Sequence, residues 1–264
     1  MRIREIKWID LQLYQDVLAG ELDIGIFRGA INDEMCKITA RNFWNHLKLK
    51  KRQDNVPSFE VGAHHFGQSL DNYFNEVQKE HDNLINLFKG TDNFLAKYQN
   101  FIRSYLHDSC GIYFRLASHQ SRQASPFVMR SWSNQEPFQL LPHEDVAQLK
   151  EPLQKGFEIQ KAYDSTLVST NVCIENGIGG ELVVWEYRPT LEDRMHMHVE
   201  YSGYPYLEKN LDEFNSYKIP VYEGDIYFLN GSLVHAVKSN ILGARSIISF
   251  FSSAISKQEI LYWS

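Results

Sequence analysis

The sequence has little of what would set it apart from ordinary globular proteins. No apolar run reaches the roughly 18 residues that a membrane-spanning helix needs. The first residues, Met-Arg-Ile-Arg-Glu-Ile-Lys, interleave charged and apolar side chains, so no signal-peptide hydrophobic segment stands there. Cysteine is scarce. Cys36, Cys110 and Cys173 are odd in number and far apart, which argues against a disulfide framework or a thiolate zinc cluster. They read as reduced thiols of a cytoplasmic protein. A surplus of positive charge is also absent: 27 Lys and Arg stand against 33 Asp and Glu, a formal net charge of -6. A partner held by a basic surface, nucleic acid or anionic membrane, is therefore not expected. Internal repeats and low-complexity tracts are missing too. What remains is 43% hydrophobic and 23% charged over 264 residues, enough to bury a sizeable core. Ten histidines carry most of the chemistry still to be explained.

The first half reads as helix and the second as strand. Asp23 to Gly29 suits a short strand, and Asn32-Asp33-Glu34 suits the cap of a helix running to about His46. The basic stretch Lys48, Lys50, Lys51 and Arg52 reads as a solvated loop, with a partner patch as the alternative. Leu70, Phe74, Val77, His81, Leu84 and Phe88 recur every three or four residues, which predicts one helical face with His81 packed on it. Gly90 is placed to end that helix and Thr91-Asp92 to cap the next, whose stripe is Phe94, Leu95, Tyr98, Phe101, Ile102 and Tyr105.

Beyond about residue 110 the period changes. Residues 112–116, 127–132, 166–174, 181–187, 225–229, 233–237 and 246–251 are short runs rich in β-branched and aromatic residues. Asn176-Gly177, Gly179-Gly180, Glu223-Gly224-Asp225, Asn230-Gly231 and Gly243 supply turn chemistry between them. This spacing predicts an antiparallel sandwich or barrel. Residues 188–216 interrupt the series, polar and tyrosine-rich, as a lid or substrate loop would. No linker divides the chain.

Three features carry chemistry. In Leu141-Pro142-His143-Glu144-Asp145, residues 143 and 145 share one face if the segment is a strand. An imidazole and a carboxylate could then bind one metal from one wall. His235 follows a turn later in the chain, and Arg245 lies ten residues beyond it. Two histidines and one carboxylate on one face of an iron leave the opposite positions open for a keto acid and O2. An arginine can grip a distal carboxylate with two parallel hydrogen bonds, which lysine does less well. Each residue also has a plainer reading: a strand end for His143, a turn for Asp145, a packed core histidine for His235.

His143-Glu144-Asp145, His235 and Arg245 together resemble the HxD…H…R pattern of the Fe(II)/2-oxoglutarate-dependent oxygenases. Asn171, Gly179-Gly180-Glu181-Leu182 and Glu223-Gly224-Asp225 are similar to that family's strands, in order. The resemblance covers roughly residues 110–253, with 22–108 similar to its N-terminal helical support. Within the family the likeness is to bacterial hydroxylases and halogenases of amino acids and small natural products. It implies a mainly β fold with helical support: a double-stranded β-helix, or distorted cupin-like jelly roll, with N-terminal helices packed on the barrel. Residues 1–264 would form one domain, with helical support over 1–108, a core over 109–256 and the insertion 188–216. The resemblance further implies Fe(II) on His143, Asp145 and His235, with 2-oxoglutarate and O2 as co-substrates. Arg245 would anchor 2-oxoglutarate and Asn171 would hydrogen-bond it. Arg130, Trp185 and His198 are candidate substrate contacts. The expected reaction hydroxylates an unactivated C–H bond of a small amino-acid-derived or natural-product substrate and releases succinate and CO2.

One departure and several alternatives bear on this. Many members carry Ser or Thr two residues after the arginine; here that residue is Ile247, with Ser249 two further along the same face. Arg115 and Arg130 precede the motif as surface ion-pair partners or carboxylate contacts. Related halogenases replace the metal carboxylate by Gly or Ala, so Asp145 favours hydroxylation, or desaturation or cyclisation by the same chemistry. Arg194-Met-His196-Met-His198-Val-Glu200 faintly resembles a cupin metal site, and otherwise belongs to a lid. A metal-free ligand-binding module is the reading that is not an enzyme.

Overall fold

The computed structural model describes residues 1–46, 50–51, 58–132 and 137–264. In chain order its elements begin with β1 (Ile3–Ile6), α1 (Leu11–Leu18), β2 (Ile24–Phe27), α2 (Asp33–Trp44), β3 (Lys50–Lys51) and β4 (Ser58–Gly62). Next come α3 (Leu70–Asn86), α4 (Phe94–Cys110), β5 (Tyr113–Leu116), β6 (Ser118–His119), β7 (Arg122–Gln123), β8 (Val128–Trp132) and β9 (Phe138–His143). Three 3-10 turns between residues 147 and 162 lead into β10 (Leu167–Gly179), β11 (Leu182–Trp185) and α5 (Leu191–His196). The chain ends with β12 (Ser216–Ile219), β13 (Ile226–Asn230), β14 (His235–Lys238), β15 (Asn240–Ser256) and β16 (Glu259–Trp263). Of the basic stretch, Lys48 and Arg52 lie outside the described residues.

The large sheet runs β1-β2-β13-β10-β15-β8-β4-β3, with β16 on β15 and β5 on β16. The small sheet runs β12-β11-β14-β9. Side chains alternate across a strand, so the central strands of the large sheet serve two cores. Val168, Val172 and Ile174 of β10, Ile226 and Phe228 of β13 and Ile248 and Phe250 of β15 share a cluster with Leu11, Tyr14 and Val17 of α1 and Leu95, Tyr98 and Ile102 of α4. The alternate residues Cys173, Tyr227 and Leu229 cluster with Leu182 and Val184 of β11 and Ile219 of β12. That second cluster lies between the sheets, as a jelly roll requires. The fold is thus mostly sheet, one large, one small and the two-stranded pair β6-β7, with few helices.

Local chemistry explains the element ends. Asn32 caps α2 by accepting from the Met35 N–H, and Ser69 caps α3 through Asn72. The cap of α4 is Asn93, at φ 45, rather than Thr91-Asp92, because its side chain reaches the Ala96 N–H. The apolar face of α3 is turned from the expected one: Tyr73, Phe74 and Leu84 are buried with Glu80, while His81 is exposed. Asn176-Gly177, Gly179 and Gly243 do not make turns. They lie within the long β10–β15 ladder, where the register shifts. A Cβ on Gly177 would fall 1.9 Å from the Leu242 carbonyl oxygen, so the two backbones can meet there only at glycine. No helix among the described residues is long and apolar enough to cross a membrane.

Candidate metal centre

The small sheet sets the centre. β9 and β14 pair antiparallel with His143 opposite His235, so one register places two imidazoles side by side, ring centres 4.1 Å apart. The carboxylate comes from just beyond β9. Asp145 is not on the strand, as the sequence had led us to expect, but in the bend that follows it. Its N–H donates to the Gly231 carbonyl at 2.8 Å, which ties the bend to the Asn230-Gly231 turn before β14. Its Oδ1 lies 4.0 Å from His143 Nε2 and its Oδ2 3.7 Å from His235 Nε2. Among the described residues these three are the one group of His, Cys, Asp and Glu whose ligand atoms, all within 4.8 Å of one another, could hold a metal.

Both histidines are oriented from behind. His143 Nδ1 donates to the Leu141 carbonyl at 2.8 Å, and His235 Nδ1 to the Leu233 carbonyl at 2.9 Å. A carbonyl accepts only, so each Nδ1 carries the proton and each Nε2 presents its lone pair. Burial holds both imidazoles down at about 4, His143 further disfavoured by His235. Burial likewise pushes Asp145 up to about 6, against the pull of His143 and Arg130. Asp145 Oδ2 is buried without a hydrogen-bond partner. Neutral imidazoles and an unpartnered buried carboxylate oxygen are what a divalent cation would satisfy.

Two adjoining cavities meet at the centre and share Arg130, Trp132, Leu140, His143, Asp145, Ser249 and Phe251. The larger extends towards His64, Phe66 and Tyr204. The smaller runs between the sheets past Asn171, Tyr227 and Ile247 to His235. Arg130 stands opposite Ile247 in the β8–β15 ladder, and its Nε is 3.5 Å from Glu60. Ser249, opposite Asn171 in the β10–β15 ladder, also reaches the wall.

Several expected contacts fall elsewhere. Arg245 is mid-strand, fully buried and absent from both cavity walls; its guanidinium donates to the Gly180 carbonyl and, at 3.2 Å, to Tyr227 Oη. It stands behind Tyr227, which does line the cavity. Trp185 points to the outer face of the small sheet and packs with Phe138, Val199 and Tyr206, because alternation along β11 gives the inner face to Leu182 and Val184. His198 sits exposed at φ 59 after α5, and His196 is exposed as well, so the HxH pair is not gathered into a site. Arg115 pairs with Glu158 at 2.8 Å and Glu259 at 2.5 Å, the surface reading. His65 and Gln148 line the larger cavity and carried no signal in the sequence, since nothing in their spacing points to a wall that three distant segments build.

The family model described as carrier-protein-independent halogenase WelO5 matches residues 11–264. The L-isoleucine 3(1)-dioxygenase of Pantoea ananatis (strain AJ13355) is 28% identical over 245 residues, 90% of this chain and 82% of that protein. Among solved structures, an N-substituted L-amino acid dioxygenase from Burkholderia ambifaria AMMD superposes with a TM-score of 0.55 at 13% identity, over 95% of this chain and 89% of that one. The epimerase SnoN from nogalamycin biosynthesis does so with 0.51 at 14% identity, over 92% and 83%. At these identities the two structures speak for the fold alone. The match over almost the whole length, on a chain whose HxD and strand histidine converge on one cavity, assigns it: the chain belongs to the carrier-protein-independent halogenase WelO5 family, and with it to the Fe(II)/2-oxoglutarate-dependent oxygenases.

Proposed function

We propose that this enzyme hydroxylates an unactivated C–H bond of a small amino-acid-derived or natural-product substrate, with release of succinate and CO2. The observation that carries the reading is the convergence of His143 Nε2, His235 Nε2 and the Asp145 carboxylate on one cavity between the sheets. His143, Asp145 and His235 would hold Fe(II), which when bound supplies O2 activation at the expense of 2-oxoglutarate. The chain's own residues do the rest. In this reading Arg130 and Ser249, which line the shared part of the cavity, bind a carboxylate, and Asn171 and Tyr227, on the wall of the smaller one, hydrogen-bond it. Arg245 braces Tyr227 from behind. Trp132, Leu140 and Phe251 give the cavity apolar walls that exclude water and orient a C–H bond. Residues 1–264 are read as a single catalytic domain, with 1–108 supporting the 109–256 core. The mixed helix and strand composition of the largest core cluster supports that reading.

Asp145 favours hydroxylation over halogenation within a family named for a halogenase, because a carboxylate there fills the metal position a halide would need. The relative that acts on L-isoleucine makes free aliphatic amino acids the first substrates to screen. The test is an anaerobic titration with Fe(II) and 2-oxoglutarate. A metal-to-ligand charge-transfer band is expected in the wild type and in His196→Ala, and not in His143→Ala. A folded wild type without the band sinks the proposal. Succinate formed in step with hydroxylated amino acid then identifies the substrate.

A further inference from the structure

The insertion between β11 and β12 meets the metal-binding bend at a buried ion pair. Glu144, between the two ligands of that bend, is wholly buried. Its Oε1 lies 2.9 Å from Arg194 Nε, and its Oε2 accepts from the Val146 and Ala147 N–H groups at 2.6 and 3.2 Å. Arg194, on α5 of the insertion, is only 5% exposed and donates from a second nitrogen to Tyr163 Oη at 3.2 Å. The backbones join as well. The Glu144 N–H donates to the Gly203 carbonyl at 3.0 Å, and the Tyr206 N–H to the Pro142 carbonyl at 2.8 Å. Gly203, at φ +61, lies so close that a Cβ there would be 2.3 Å from the Glu144 carbonyl oxygen. Its two neighbours, Ser202 and Tyr204, line the larger cavity, with the Tyr204 ring 6.1 Å from that of His143.

A buried ion pair is a poor device for stability, since two apolar side chains of similar volume would serve as well or better. What it offers is a specific tie between two segments: the Val146 and Ala147 N–H groups orient the Glu144 carboxylate, and the charge of Arg194, 2.9 Å from Oε1 without a hydrogen bond, holds α5 against it as no apolar contact would. We propose that Glu144 and Arg194 are positioning residues, coupling occupancy of the metal site to the cavity wall that residues 199–206 carry. The proposal rests on His143 and Asp145 being metal ligands. Ordering of the bend by a bound ion is passed through Glu144, on the far side of the same backbone, to Arg194 and the Gly203 contact.

Amide hydrogen exchange on the full-length protein, with Co(II) alone as the probe, tests this without a substrate. In the wild type, Co(II) slows exchange in 143–147 and also in 199–206, by about fivefold or more. In Arg194→Met the response at 143–147 persists and that at 199–206 is lost; Arg194→Lys, which keeps the charge on one donor group, recovers part of it. Gly203→Ala leaves Arg194 in place but sets a Cβ against the Glu144 carbonyl oxygen and its Oε1, so it displaces the same contact from the other side and gives the same loss, which covers the case in which Arg194→Met does not fold. Wild-type protection confined to 143–147, or an unchanged response at 199–206 in the variants, overturns the proposal. Absence of any Co(II) effect at 143–147 overturns the metal assignment and the proposal with it.

Discussion

His143 and His235 each commit the Nδ1 proton to a carbonyl two residues earlier in the chain, so the same local geometry orients both rings. The polypeptide prepares these ligands before any metal arrives, and their loss should be specific. His235→Ala is expected to fold and to lose metal-dependent turnover, with Co(II) absorption checking the site directly. The two arginines should separate in the opposite way to a reading by motif. Arg130 lines the cavity, so Arg130→Met should cost one charge-assisted contact, about 1.5–3 kcal/mol, and raise the KM for 2-oxoglutarate roughly ten- to hundredfold, with some loss of stability because its Nε also faces the buried Glu60 carboxylate. Arg245 is fully buried and holds Gly180 and Tyr227, so Arg245→Met should lower stability to urea by about 2–3 kcal/mol. Equal effects of the two on KM, with no loss of stability in Arg245→Met, would count against this division. The Arg245 motif was plain in the sequence. Its distance from the cavity was not, because the cross-strand pairing that gives Arg130 the wall belongs to β8 and β15 together.

At the scale of elements, ends and faces were less legible than periods. The helical spacing from Leu70 and from Phe94 located α3 and α4, yet His81 turned out exposed and Glu80 buried, one residue around the same helix. Periodicity fixes that a helix has an apolar face; the neighbouring elements choose its centre. The cap of α4 shows the same limit. Asn93 adopts a left-handed backbone that few residues tolerate and caps with its side chain. Asn93→Ala should therefore cost about 1–2 kcal/mol in denaturant unfolding, and Asn93→Gly only a few tenths. Similar losses for both would show that the cap, and not the backbone conformation, dominates. Trp185 is a matter of strand parity: on β11 it faces the insertion and not the cavity, so its truncation should loosen residues 199–211 and leave 2-oxoglutarate binding in place.

Across the whole molecule, buried histidines should make the fold weaker in acid, and His65 is the one that lies outside the metal centre. His65 is 2% exposed between Tyr73 and Phe251, and burial holds it down at about 4. The unfolded chain takes up that proton near pH 6.5 and the folded protein does not, so stability on the order of 3 kcal/mol is lost as pH falls from about 6.5 to 4. Glu158, held down at about 2 by Arg115 and the Ser118 N–H, continues the loss below pH 4.5. Between pH 7.5 and 4 the fall in urea midpoint should be shallower in His65→Gln than in the wild type, by the share that His65 contributes beside His143 and His235; a profile unchanged by that substitution would remove His65 as a cause. The sequence by itself determined the class of the protein. It held a helical first half, a strand-rich second half, and an HxD with a later strand histidine and arginine, each readable because period, turn chemistry and ligand type are local properties. The tertiary structure decided which of those residues meet. Opposing His143 to His235, bringing Asp145 in from a bend, placing Arg130 on the wall with Arg245 behind it, and fastening Arg194 to Glu144 all follow from register and sheet packing, which join segments that the chain itself keeps far apart.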